Sequence, residues 1–248
     1  MRAFVDRNAE QVAWIPRTDK PNNKLAIFVH GYRGNYLDTW KGFPQKLKSD
    51  ECDTRPVFCD WDYLFIGYDT GRQKTYLDIS NLIIRRWKEA VAGRGLFADH
   101  NPYQKVALIG HSLGTLGIRQ ALCAVSLHYP QNLLPTLHRA GYFGTPQAGS
   151  GLAALASLVD DIAEALRPTS QQLRMLFEWV KSGALLRPWP AVMTMIGQDD
   201  QIVGTQYAWL IQWAGDAAPT VSHRGHLDMC KPDSWNHEAF DFVRGVLS

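Results

Sequence analysis

The stretch Val106-Ala107-Leu108-Ile109-Gly110-His111-Ser112-Leu113-Gly114 constrains this chain more than any other. Four consecutive apolar residues predict a buried parallel strand. Residues Leu116 to Leu122 continue as a helix. Between the two stands Ser112, at the centre of G-x-S-x-G. Strand, sharp turn and helix in that order form an elbow that projects a serine hydroxyl above a sheet edge. Side chains at Gly110 and Gly114 would collide with the neighbouring strand and helix, so both positions are glycine. A helix that begins at Leu113 also turns its first amides toward the same hydroxyl. The pattern predicts a nucleophile at Ser112.

The rest of the chain supplies the strands and helices that such an elbow needs. Val12–Ile15 reads as an edge strand stopped by Pro16. Leu25–Val29 is a buried strand that runs into His30-Gly31-Tyr32-Arg33-Gly34. A His-Gly pair directly after a core strand is where a first oxyanion donor is placed, because Gly31 lets the next amide turn toward the serine. Alone it would read as a glycine turn; paired with the elbow it reads as the donor loop. Asp38–Lys48 is expected to be helical. Val57-Phe58 and Leu64–Tyr68 carry the next strand, with the boundary around Cys59–Asp62 open. Tyr76–Val91 is an amphipathic helix with Ile79, Ile83, Trp87, Ala90 and Val91 inward, and Arg85, Arg86, Lys88 and Glu89 toward solvent. Strands follow at Ala140–Phe143, Ala191–Ile196 and Pro219–Val221, and Asp233–Leu247 closes the chain as a helix.

The alternation predicts an α/β architecture: a mostly parallel sheet flanked by helices, within one domain over residues 1–248. Between two late core strands the pattern changes. Leu152, Leu155, Val159, Ile162 and Leu166 form one helical stripe, Pro168 breaks it, and Leu173, Leu176, Phe177 and Val180 form a second. This pair, within 149–187, reads either as a helical cap over the site or as ordinary sheet-covering helices.

Composition excludes several partners. A net charge of +2, with basic residues scattered, argues against nucleic acid. No segment is long and apolar enough to span a membrane. Tyr207–Trp213 is aromatic and could rest on a lipid surface, a peripheral contact, although packing is its default role. The first seven residues lack the apolar core of a signal peptide, so the expected location is cytoplasmic. Cys52, Cys59, Cys123 and Cys230 show no metal spacing and read as free thiols, with a Cys52–Cys59 bridge as the alternative. No cofactor motif and no metal site are expected, and nothing bears on oligomeric state.

The chemistry-bearing residues Tyr32, Ser112, Asp200 and His226 each follow a predicted strand. In an open parallel sheet the strand C-termini share one edge, where ligands bind. A serine hydroxyl is a poor nucleophile at neutral pH and needs a base held by a carboxylate. Asp199 and Asp200 compete for the carboxylate; Gly197-x-x-Asp200-x-x-Val203 favours Asp200, in the turn with an apolar anchor beyond it. His223, His226 and His237 compete for the base, with His237 expected inside the last helix. A metal shared by His223 and His226 would lack a third ligand. His111 is expected to pack beside the turn, and His30 to buttress the oxyanion loop. The order of serine, acid and histidine fits two-step acyl transfer to water, with the Tyr32 and Leu113 amides receiving the oxyanion. The same residues could cleave amides or thioesters, and a ligand-binding module on the same scaffold is the non-catalytic alternative.

From Leu25 to the C-terminus these residues resemble the α/β-hydrolase superfamily. Within it the chain is similar to lipase-like hydrolases related to the serine-active-site-containing protein and the GPI inositol-deacylase group. The resemblance rests on Phe28-Val29-His30-Gly31-Tyr32-Arg33-Gly34 with Thr39-Trp40, on Gly110-His111-Ser112-Leu113-Gly114, and on Gly144-Thr145-Pro146-Gln147-Ala148-Gly149-Ser150, where Gln147 replaces the group's histidine. His226-Leu227-Asp228-Met229-Cys230-Lys231-Pro232 is similar to the group's H-x-x-x-C-K-P ending, which implies His226 as the base. The resemblance implies hydrolysis of esters or lipid esters without a cofactor, and does not imply one substrate.

Overall fold

The computed structural model describes residues 2–7, 10–69, 75–146, 170–181, 192–203 and 219–248. Its strands are β1 (Val5–Arg7), β2 (Val12–Ile15), β3 (Lys24–Val29), β4 (Asp62–Ile66), β5 (Lys105–His111), β6 (Leu137–Phe143), β7 (Val192–Gly197) and β8 (Thr220–Ser222). They form one sheet in the order β1-β2-β4-β3-β5-β6-β7-β8. The pairs from β4 to β8 are parallel, while β1 and β2 add antiparallel at one edge. The α-helices among the described residues are α1 (Gly42–Leu47), α2 (Asp50–Asp53), α3 (Tyr76–Ala92), α4 (Leu113–His128), α5 (Gln171–Lys181) and α6 (Glu238–Leu247). None of them is long and apolar enough to cross a membrane.

The inner residues of the central strands are apolar because both faces of the sheet are covered. On β3, Leu25, Ile27 and Val29 join Ile79, Ile83 and Trp87 of α3 and Leu116 of α4 on one side. Ala26 and Phe28 join an aromatic layer on the other, with Trp40, Phe43, Phe143 and Phe240. There Phe28 meets the Trp40 ring edge-on at 5.0 Å, and Phe43 meets Phe240 at 4.5 Å. Helix α3 begins in a capping box between Thr75 and Asp78 and ends at Gly93, whose φ of 59° is left-handed.

Register places the site. Val29 pairs with Gly110, His111 with Phe143, Phe143 with Met195, and Gly197 with Ser222. The parallel strands therefore end together, and the segments after β3, β5, β6, β7 and β8 leave from one edge. Two further bonds stitch that edge: Ser112 N–H donates to Phe143 O at 2.9 Å, and Gly144 N–H to Met195 O at 2.9 Å.

Several local expectations change. The helix expected over Asp38–Lys48 is cut to α1, because Asn35 Oδ1 accepts the amides of Leu37 and Asp38 and holds that stretch as turns. Val57-Phe58 is not strand. The carbonyls of Phe58, Cys59 and Trp61 accept from the Arg2 guanidinium, and Tyr63 Oη donates to Phe58 O. Arg86 is buried rather than solvated, bridging Glu10 at 2.8 Å and Glu89 at 2.9 Å. The last helix starts at Glu238; His237 caps it, its Nδ1 accepting from Ala239 N–H at 3.1 Å. Cys52, Cys59, Cys123 and Cys230 are free thiols. Of the segment 149–187 only 170–181 is described, and Tyr207–Trp213 lies outside the described residues.

Candidate active site

Ser112 stands between β5 and α4 with φ 51° and ψ −122°, a left-handed backbone that few non-glycine residues adopt. The turn is tight enough to need glycine around it. A Cβ on Gly114 would lie 2.3 Å from Val29 O and 2.5 Å from His30 O, so the start of α4 rests directly on the end of β3. Thr115 Oγ1 lies 2.6 Å from Ser112 O and 2.7 Å from Thr145 Oγ1. Since the carbonyl only accepts, Thr115 donates to it and Thr145 donates to Thr115. Ser112 is 3% exposed, and its Oγ makes no hydrogen bond among the described residues; contacts of this kind commonly close only around substrate.

The loop after β3 is held by His30. Tyr68 N–H lies 3.1 Å from His30 Nε2, so Nε2 accepts and Nδ1 carries the hydrogen. That Nδ1 donates to Gly31 O at 2.7 Å, Gly34 N–H reaches the same oxygen at 3.1 Å, and the Tyr68 ring stacks on the imidazole at 4.2 Å. A trans peptide sends its carbonyl and its N–H in opposite directions. Fixing Gly31 O on the His30 side therefore fixes Tyr32 N–H on the other. The α-carbon of Gly31 faces the elbow: a Cβ there would lie 2.8 Å from Ser112 Cβ.

Asp200 and His226 come from the turns after β7 and β8. Asp200 Oδ1 accepts Ile202 N–H at 3.0 Å and Val203 N–H at 2.9 Å, and Oδ2 lies 2.7 Å from His226 Nδ1. Both side chains are 4% exposed. Burial pushes the Asp200 carboxyl up, but the His226 hydrogen bond and charge and the two amides outweigh it, so the group stays below its ordinary value. Gly144, at φ 54°, passes under the His226 ring; a Cβ there would lie 2.9 Å from Nδ1. Since Ser112 N–H is bonded to the residue before Gly144, the imidazole and the elbow are immediate neighbours.

The other candidates lie apart. Asp199 is exposed. His223 is exposed and bonds Gln198 Oε1 at 2.8 Å. His237 is occupied as a cap. Among the described residues no group of three His, Cys, Asp or Glu could hold a metal ion. His111, expected to pack beside the turn, is buried next to it and also bonds across to the base loop, its Nε2 lying 2.9 Å from His226 O. Tyr68 carries no sequence signal for its place at the site, and Thr145 is marked only by the resemblance of the stretch 144–150. A threonine among the apolar residues of the helix's first turns is the signal for Thr115.

Burial also sets an acid limit on stability. It drives His30 down to about 4, and it drives His111 down to about 3 with help from the charge of His226. Both are neutral when folded and free to protonate when unfolded, so their contribution is complete above the unfolded value and is lost as pH falls toward the folded ones. Between pH 7 and pH 5 the two together are expected to cost about 4 kcal/mol, about 2 kcal/mol each. His138 and His237, also lowered by burial, act in the same direction; His100, raised by its bond to Asp62, opposes them. Urea midpoints at the two pH values check this, and equal midpoints would show that the buried imidazoles do not govern acid stability.

Residues 19–143, half of the chain, match the family described as "Putative serine esterase (DUF676)". The chain belongs to this family. It is a hydrolase acting on ester bonds, and its sheet is that of the α/β-hydrolase lipases and esterases. No curated protein sequence matches it. Among solved structures it is similar to the mature lipase BlEst2 of Bacillus licheniformis, at 18% identity and a TM-score of 0.62, covering 94% of each chain. It is also similar to the monoacylglycerol lipase of Paleococcus ferrophilus, at 13% identity and a TM-score of 0.56, over 95% of this chain and 97% of that one. The phospholipase PlaB of Legionella pneumophila shares 20% identity at a TM-score of 0.52, over 71% of this chain but 39% of its own. At these identities the likeness is one of fold.

Proposed function

We propose that this esterase works through Ser112 as nucleophile, His226 as general base and Asp200 as the carboxylate that orients it. The observation that carries the reading is the 2.7 Å bond from His226 Nδ1 to a buried Asp200, directly beside a serine held at positive φ. That bond keeps the hydrogen on Nδ1 and leaves Nε2 as the basic nitrogen. Ser112 Oγ attacks the ester carbonyl carbon as Nε2 takes its proton. The tetrahedral oxyanion is received by the N–H groups of Tyr32 and Leu113. Collapse expels the alcohol, protonated by His226, and leaves an acyl-enzyme. Water, deprotonated by the same nitrogen, then releases the acid and restores Ser112. Each oxyanion donor is worth about 3 kcal/mol in reactions of this class.

Lipid esters are the substrate class we favour. The solved proteins that share the fold include lipases and a phospholipase. Leu227, directly after His226, is half exposed and apolar. A cleft of about 300 Å³, mostly apolar, opens between the start of α3, α4 and α5, lined by Tyr76, Leu77, Met175 and Leu176. Its Gln120 lies eight residues along α4 from Ser112, about 12 Å at helical rise, which is the reach of a medium acyl chain. A second cleft, about 410 Å³ and lined by Arg85, Lys88 and Arg94, lies further along α3 and has no part in this reading.

A fluorophosphonate probe, with the labelled peptide mapped, tests the nucleophile. Labelling at Ser112 is expected; no labelling, or labelling elsewhere, would end the proposal. A p-nitrophenyl ester series of rising chain length, with thioester and amide analogues beside it, tests the bond and the acyl group. A maximum at medium chain length supports the lipid reading, and preference for acetate counts against it.

A further inference from the structure

His111 is buried, and no step of the reaction above uses it. Its Nε2 lies 2.9 Å from His226 O, an oxygen that can only accept, so Nε2 carries the hydrogen. Nδ1 is then the bare nitrogen, and it is buried without a hydrogen-bond partner among the described residues. It packs against Gly31, where a Cβ would lie 3.0 Å away. One ring thus neighbours Ser112 in the chain, bonds the backbone of His226, and touches the loop that presents Tyr32. An aromatic hydrocarbon would fill the same space without the orphaned nitrogen, but it would take the donor from His226 O. The orphaned lone pair is a cost, and the bond to His226 is what the imidazole offers in exchange.

We propose that His111 is a positioning residue: its hydrogen bond to the His226 carbonyl fixes the base at its working distance from Ser112. This rests on the assignment of Ser112 and His226 given above. Among the described residues the His226 side chain has one hydrogen-bonded anchor, Asp200, in the turn after β7. Its backbone has the other, His111, at the end of β5. With both in place the ring cannot pivot about the Asp200 bond. With His111 gone it can, and a shift of about 1 Å in a reacting group costs ~10²-fold in rate. The two rings stand 4.8 Å apart, so His111 must also stay neutral while His226 carries its proton, and burial ensures that.

The test pairs His111→Phe, which keeps the ring and loses the donor, with His111→Gln, whose amide N–H can reach the same carbonyl. In His111→Phe, kcat on a p-nitrophenyl ester and the rate of fluorophosphonate labelling should fall by about 10- to 100-fold, with KM unchanged. His111→Gln should recover most of that loss. If the Phe variant does not fold, His111→Met replaces it as the donor-free side chain. Wild-type rates in the donor-free variant, or equal losses in it and in His111→Gln, overturn the proposal while wild-type labelling at Ser112 stands. A wild-type protein that is not labelled at Ser112 overturns the underlying assignment instead.

Discussion

Alanine at position 112 is expected to lower kcat for ester hydrolysis by about 10⁶ without loss of stability. The size follows from chemistry. Under the mechanism proposed above, removing the hydroxyl removes the covalent route, and what remains is stabilisation of a water attack by the Tyr32 and Leu113 amides, about 10³-fold over solution. The stability half of the prediction follows from the structure. Ser112 Oγ makes no hydrogen bond among the described residues, and the elbow is held by backbone and neighbour contacts: Ser112 N–H to Phe143 O and Thr115 Oγ1 to Ser112 O. Alanine keeps all of them, as well as the strained φ. Initial rates on a p-nitrophenyl ester and thermal unfolding of both proteins check the two halves. Turnover within tenfold of wild type, in a protein shown free of contaminating esterase, would remove Ser112 from the mechanism.

What the sequence made legible was what local pattern controls. The apolar runs of β3 and β5 and the stripe of α3 are set by residues within one turn or pleat of each other, and their bounds differ from expectation by a residue or two at most. The sharing of one edge by the loops after β3, β5, β7 and β8 follows from parallel topology alone. Features that depend on distant partners were not legible. The segment after Val57 turns because Arg2, more than fifty positions away, satisfies its carbonyls. His30 is fixed by Tyr68, thirty-eight positions on, and His111 reaches across 115 positions to His226. The spacing Gly197-x-x-Asp200-x-x-Val203 favours Asp200 over its neighbour, but the hydrogen bonds that separate the two are visible only in the structure. Asp199 is exposed, whereas Asp200 turns inward because its Oδ1 closes an Asx turn on Ile202 and Val203.

That division makes a sharp prediction. Asp200→Asn should lower kcat by about 10⁴, while Asp199→Asn should leave it unchanged. In the native turn Asp200 spends Oδ1 on two amide donors and Oδ2 on His226 Nδ1. Asparagine has one oxygen to offer. The two backbone amides hold that oxygen in the Oδ1 place, so its NH₂ faces the imidazole. A ring nitrogen opposite a donor must accept, which moves the hydrogen of His226 from Nδ1 to Nε2. In the mechanism proposed above Nε2 takes the Ser112 proton, and in that tautomer it cannot. The packing changes by no heavy atom, so unfolding midpoints should hold and the loss should fall on kcat. Nor can acidification of wild type mimic the variant near neutrality, since the Asp200 carboxyl is held below its ordinary value and remains ionised there. Equal effects of the two asparagine variants would mean that Asp200 has no special hold on the base, and the turn geometry would then have no bearing on which carboxylate serves.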